Sequence, residues 1–116
     1  MRVFVYWNLH KHIWSVKALE GPHKGRVIGH HKQLLLANAT GKVSEAGRQR
    51  VLREKRKNVH AGIVGTLVHT EGEGFFPGLD VTYNPYKYST FVYKDTESPY
   101  TGSQFAYMDN RKVTVL

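Results

Sequence analysis

The sequence predicts an α+β fold: an antiparallel β-sheet or partial barrel packed against a single main α-helix at about residues 44–57. Two observations predict the sheet and one predicts the helix. Short runs rich in Val, Ile, Phe, Tyr and Trp recur along the chain, and Gly, Pro, Asn and Asp clusters separate them, as in hairpin-connected strands. The segment after Ser44 opens on a good N-cap, with Glu45 placed in the first turn, where the macrodipole favours an acid. A chain of 116 residues suits one core, so sheet and helix belong to a single domain, 1–116.

Taken in order, Arg2–Trp7 and Ile13–Leu19 are expected strands joined by the five-residue loop Asn8–His12. Val3, Val5 and Trp7 share one face and Phe4 and Tyr6 the other, so the first strand is expected to be central. In the second, Trp14, Val16 and Ala18 point inward, with Ser15 and Lys17 outward. After the turn 21–25, Arg26–His30 and Gln33–Ala37 supply further short strands, and Asn38–Gly41 is expected to turn. The helix lacks a capping box, because Gly47 stands three residues after the cap, and it is expected to end near Asn58 in a left-handed C′ conformation. Val59–His69 follows as a strand or strand pair interrupted at Gly62 and Gly65. An acidic loop at 71–74 precedes Phe75-Phe76-Pro77, a core plug or contact patch. Leu79–Tyr83, Thr90–Lys94, Gln104–Met108 and Lys112–Leu116 complete the strands.

Composition limits the classes of function. There are no cysteines, which excludes a disulfide framework, a thiolate nucleophile and a Cys-based zinc site, and suits a reducing cytoplasm. No apolar stretch approaches the roughly 20 residues that span a bilayer. The formal net charge of +8 is uneven. Residues 1–69 hold 13 Lys/Arg against three acids, whereas 70–116 hold four against six. All seven histidines lie in the first part and six of seven tyrosines in the second. A basic half of this kind points to a polyanionic partner such as nucleic acid or a nucleotide.

The helix concentrates that charge. At about 100° per residue, Arg50, Arg53, Arg56 and Lys57 fall within one arc roughly 120° wide, opposite Gly47, Val51 and Leu52. One side packs and the other presents cations spaced to follow phosphates, with arginine supplying planar bidentate donors. The candidate phosphate-binding set is Arg48, Arg50, Arg53, Arg56, Lys57 and His60, helped by Lys11, Lys24, Arg26 and Lys32. The bland reading of the same row is a solvated helix face whose cations suit the C-terminal dipole. His10/His12 and His30/His31 have metal-like spacing but lack nearby acids, so no metal site and no cofactor is expected. His60 or His69 beside cations is the arrangement a metal-independent ribonuclease uses, yet no recognisable catalytic motif accompanies it. The tyrosines from Tyr83 to Tyr107 are half-buried sheet residues or base-stacking platforms.

The run 42–62, with Tyr83-Asn84-Pro85-Tyr86-Lys87 and Thr90-Phe91-Val92, resembles uncharacterised small proteins encoded by tailed bacteriophages. The resemblance covers most of the chain and implies a phage context without a mechanism. The expected function is therefore a phage-type accessory protein that binds a phosphate-rich ligand, most simply DNA or RNA, through the basic helix. Its binding is expected to depend steeply on salt and little on base sequence. Two alternatives remain: an anti-defence or host-takeover inhibitor that binds a host protein or sequesters a nucleotide signal, and the small ribonuclease. A non-enzyme is favoured, working in the host cytoplasm, with no membrane partner and with homodimerisation open.

Overall fold

Successive antiparallel hairpins build one sheet of nine strands in a computed structural model that describes residues 1–70 and 77–116. The elements are β1 (Arg2–Asn8), β2 (Ile13–Ala18), β3 (Val27–His31), β4 (Gln33–Val43), α1 (Glu45–Glu54), β5 (Ala61–His69), β6 (Leu79–Thr82), β7 (Val92–Tyr93), β8 (Ser103–Asp109) and β9 (Lys112–Val115). Their order across the sheet is β3-β2-β1-β5-β4-β8-β9-β6-β7. The acidic loop and the Phe75-Phe76 patch lie outside the described residues.

This sheet cannot be flat. Val5 of β1, Trp14 of β2, Val81 of β6 and Val113 of β9 belong to one buried cluster, although three strands separate β1 from β9. The sheet must curl until its two wings share a core. Period-two alternation supplies that core, with Val3/Val5, Trp14/Val16, Leu34/Leu36, Ala106/Met108 and Val113/Val115 all buried.

The α+β expectation is overturned. Of the described residues 51% are strand and 9% helix, so the fold they form is antiparallel β with one short helix. A curled sheet covers its own apolar face and leaves little for a helix to cover. Val51 is the helix's buried residue.

The helix also ends earlier than the sequence suggests. It spans Glu45–Glu54, and Lys55 adopts the left-handed conformation (φ 57°), its N–H donating to the Val51 carbonyl. The cause is closure. Val43 and Ala61 are cross-strand partners in β4 and β5, and the Ser44 N–H donates to the His60 carbonyl at 2.7 Å. The chain between them must return to its starting point. Ten helical residues advance about 15 Å, and the six that follow can reach back about 20 Å. A helix to residue 57 would advance about 20 Å and leave three residues with a reach of about 10 Å.

Three local expectations change for related reasons. Asn38–Gly41 does not turn; β4 runs on through it, absorbing a register shift between Ala37 and Thr40 with Asn38 at φ 51°. β5 is continuous across Gly62 and Gly65, both buried where another chain segment approaches closely. Ser15 points to a covered site instead of solvent: it is fully buried, and its Oγ meets Asn8 Nδ2 at 3.2 Å and His30 Nδ1 at 2.9 Å.

Tyr100 ties the β4 bulge to the far wing. Its ring is 3% exposed, and its hydroxyl donates to the Ala39 carbonyl at 3.2 Å and lies 2.6 Å from Ser103 Oγ. Burial pushes this phenol above its ordinary value, against the opposing Ser103 hydrogen bond. The folded state thus holds the proton more tightly than the unfolded chain does. Its contribution is complete below about pH 10 and is lost as pH rises through the folded value. Denaturant titrations from pH 8 to pH 11.5 should show stability falling above pH 10, with a shallower fall in Tyr100→Phe.

Candidate ligand cavity

Curling leaves a cavity of about 640 Å³ between the wings, roofed by the helix and the segment after it. Trp7, Trp14, Tyr83, Tyr86 and Phe91 contribute its aromatic walls, and Lys57, His60 and Arg111 its basic groups. No Asp or Glu lines it among the described residues.

Each wall has a local cause. Trp7 and Trp14 are cross-strand partners across the loop 9–12, so their rings meet edge to face with centroids 5.2 Å apart at 76°. Asn8 closes that loop, its Oδ1 accepting from the His10 and Lys11 N–H groups and its carbonyl from the His12 N–H. On the facing wing, the β8–β9 turn puts Asn110 and Arg111 in left-handed conformations (φ 46° and 68°). A primed hairpin turn requires that backbone, and Asn is suited to it whereas Arg is not. The turn brings the Arg111 guanidinium to 6.0 Å from the Trp7 ring centre, a cation–π distance.

His60 sits where the chain enters β5. A Cβ at Gly47 would come within 2.5 Å of the His60 Cβ, so a glycine in the helix is what lets this histidine pack against it. His60 Nδ1 donates to Asn58, 2.9 Å from Oδ1 and 3.1 Å from the carbonyl oxygen. Its Nε2 lies 2.8 Å from the Tyr83 hydroxyl. The Tyr83 ring is held against His60 (5.5 Å) and Phe91 (5.2 Å). Burial raises the Tyr83 phenol above its ordinary value, with the Arg48 charge pulling the other way. It is therefore protonated and neutral near pH 7.

Arg48 fastens the roof. Its Nε donates to the carbonyls of Pro85 (3.1 Å) and Tyr88 (2.8 Å), and one terminal nitrogen meets Glu45 at 3.1 Å. Lys55 lies over the Tyr86 ring, 5.8 Å from its centre. The helix and the segment Tyr83–Tyr88 thereby form a clasp over one side of the cavity.

A family model described as Mycobacterium phage L5 gene 82 protein matches residues 1–116. The chain belongs to this family. It is 47% identical over 119 residues to the gene 82 protein of Mycobacterium phage L5, covering 97% of this chain and 94% of that protein. No solved structure matches. The phage resemblance read from the sequence is thus shown.

Within this phage protein the basic residues singled out from the sequence separate into three groups. Arg48 is a structural clamp, its side chain only 17% exposed. Arg50 and Arg53 are exposed on α1, while Arg56 and Lys57 lie beyond its end, so the row of four cations on one helical face does not form. Lys57 and His60 line the cavity. Lys11, Lys24, Arg26 and Lys32 are exposed around β3 at one edge of the sheet and take no part in the cavity lining. His69, at the exposed end of β5, is also outside it. No helix is long and apolar enough to cross a membrane among the described residues.

Sequence reasoning missed Trp7, Trp14 and Arg111 as site residues. A signal existed for the tryptophans: two indoles at symmetric positions about a four-residue loop, 9–12, become cross-strand neighbours in a hairpin, whereas the five-residue loop read from the sequence would pair Trp7 with Ile13. Arg111 had none, because its place depends on how far the sheet curls.

Proposed function

We propose that this phage protein binds a base-bearing phosphate ligand, a single strand of nucleic acid or a nucleotide, in the aromatic cavity. The observation that carries the reading is the cavity's chemistry: stacking surfaces and cations together, with no lining carboxylate among the described residues. Every nucleobase offers a π face to Trp7, Tyr83 or Tyr86, and base stacking on such rings contributes about 1–3 kcal/mol per base. Lys57 and Arg111 supply charge for the phosphates, and Arg56, Lys55 and Arg53 continue the basic path along the clasp. A duplex about 20 Å across does not enter a space of 640 Å³, whereas one or two nucleotides do. The protein would then act in the cytoplasm of the infected host.

The ribonuclease alternative has less support. Both ring nitrogens of His60 are engaged within the chain, and His69 is remote from the cavity.

Fluorescence anisotropy with a labelled single-stranded oligonucleotide tests the proposal. Two phosphate contacts, at Lys57 and Arg111, correspond to a log–log salt slope of about −1.4, or about sevenfold weaker binding between 50 and 200 mM salt. The double variant Lys57→Gln/Arg111→Gln should lose most of that dependence. Absence of binding to any single strand or mononucleotide, or a double variant that binds like the wild type, overturns it.

A further inference from the structure

The hydrogen bonds around His60 have a fixed direction, and that direction decides what the cavity presents to a ligand. Two oxygens of Asn58 converge on His60 Nδ1, at 2.9 and 3.1 Å, and one is a backbone carbonyl that can only accept. Nδ1 therefore carries the hydrogen whichever way the Asn58 amide is turned. In a neutral imidazole, whose one N–H is then on Nδ1, Nε2 is an acceptor, and the Tyr83 O–H donates to it across 2.8 Å. The Tyr83 hydroxyl has only that proton, and packing against Phe91 and His60 keeps the ring from swinging away. What the oxygen has left for the cavity is lone pairs.

We propose that the Tyr83 oxygen is an acceptor-only contact that selects ligands carrying an N–H or O–H donor beside the stacked ring. This rests on the reading of the cavity as a nucleotide site and adds its hydrogen-bond polarity. Three parts of an adenine nucleotide supply such a donor: the exocyclic base amine and the ribose 2′- and 3′-hydroxyls. A ligand offering only acceptors at that place leaves the phenol oxygen desolvated and unpaired, a mismatch that costs affinity.

Calorimetric titration at pH 8 separates the sources with four probes: AMP, purine riboside 5′-monophosphate, which lacks the base amine, and 2′-deoxy-AMP and 3′-deoxy-AMP, which each lack one ribose hydroxyl. The wild type should bind AMP about tenfold more tightly than one of the three analogues, and the weakened analogue identifies the donor. Tyr83→Phe keeps the ring and removes only the hydroxyl, so it should bring the four affinities together. Equal affinity of the wild type for all four probes overturns the acceptor proposal and leaves nucleotide binding standing, a result that needs no variant. A preference that survives in Tyr83→Phe also overturns it. If none of the four binds the wild type, the proposal falls together with mononucleotide binding.

Discussion

Gly62→Ala should destabilise the protein by about 3 kcal/mol, lowering the melting temperature by roughly 10 °C or more. A Cβ at position 62 would collide with the Val5 carbonyl oxygen and come within 2.7 Å of the Phe4 ring. A backbone oxygen in a paired strand cannot step aside as the tip of a flexible side chain can. The β1–β5 ladder would have to open at Val5–Ile63, next to the cavity wall. Alanine ordinarily suits a strand better than glycine does, so propensity alone predicts the opposite sign. Thermal melts of the two proteins decide between propensity and close approach; an unchanged or raised melting temperature refutes the packing argument.

Arg48→Met should have the second large effect, and on two readouts. Methionine keeps an apolar stem of similar length and removes the guanidinium donors to Pro85, Tyr88 and Glu45. Hydrogen bonds from a charged donor contribute about 1.5–3 kcal/mol, and the two carbonyls would be left without that partner, so a loss of about 2–3 kcal/mol is expected. The clasp should loosen before the sheet does. Amide hydrogen exchange at Lys87 and Tyr88, whose N–H groups bond to the Asn84 carbonyl, should quicken more than exchange in β4 or β5. Equal protection in both regions would show that Arg48 does not hold this segment. Under the nucleotide reading the same variant should bind several-fold more weakly, with Lys57 and Arg111 still present.

These two residues illustrate what could be read in advance. Gly62 was visible as an interruption in an apolar run, but the sequence does not say whether a glycine breaks a strand or admits a neighbouring backbone. Arg48 looked like one more cation of a basic helix. Its location in the helix is a local matter, whereas its partners stand 37 and 40 residues away in sequence. His60 and Lys57 were legible as candidate ligand groups because both residue type and local charge marked them out. Their company in the cavity was not, since Trp7, Tyr83 and Arg111 reach it from β1, the segment after β6 and the β8–β9 turn, which meet only after the sheet curls.

What the sequence by itself determined is local: the strand-forming runs, the inward alternation of Val3/Val5 and Trp14/Val16, the Ser44 N-cap and the phage family. Periodicity, capping and turn chemistry act over a few residues and can be read from them directly. Tertiary structure alone decided that the sheet closes over its own core, that the helix stops at Glu54, and that an aromatic cavity, lined by no carboxylate among the described residues, opens between the wings. The physical reason is the same in each case. Pairing Val43 with Ala61 limits how far the intervening helix can run, and burying β1 against β9 sets how far the sheet must bend. Both are conditions on distant segments meeting in space, and no local pattern encodes them.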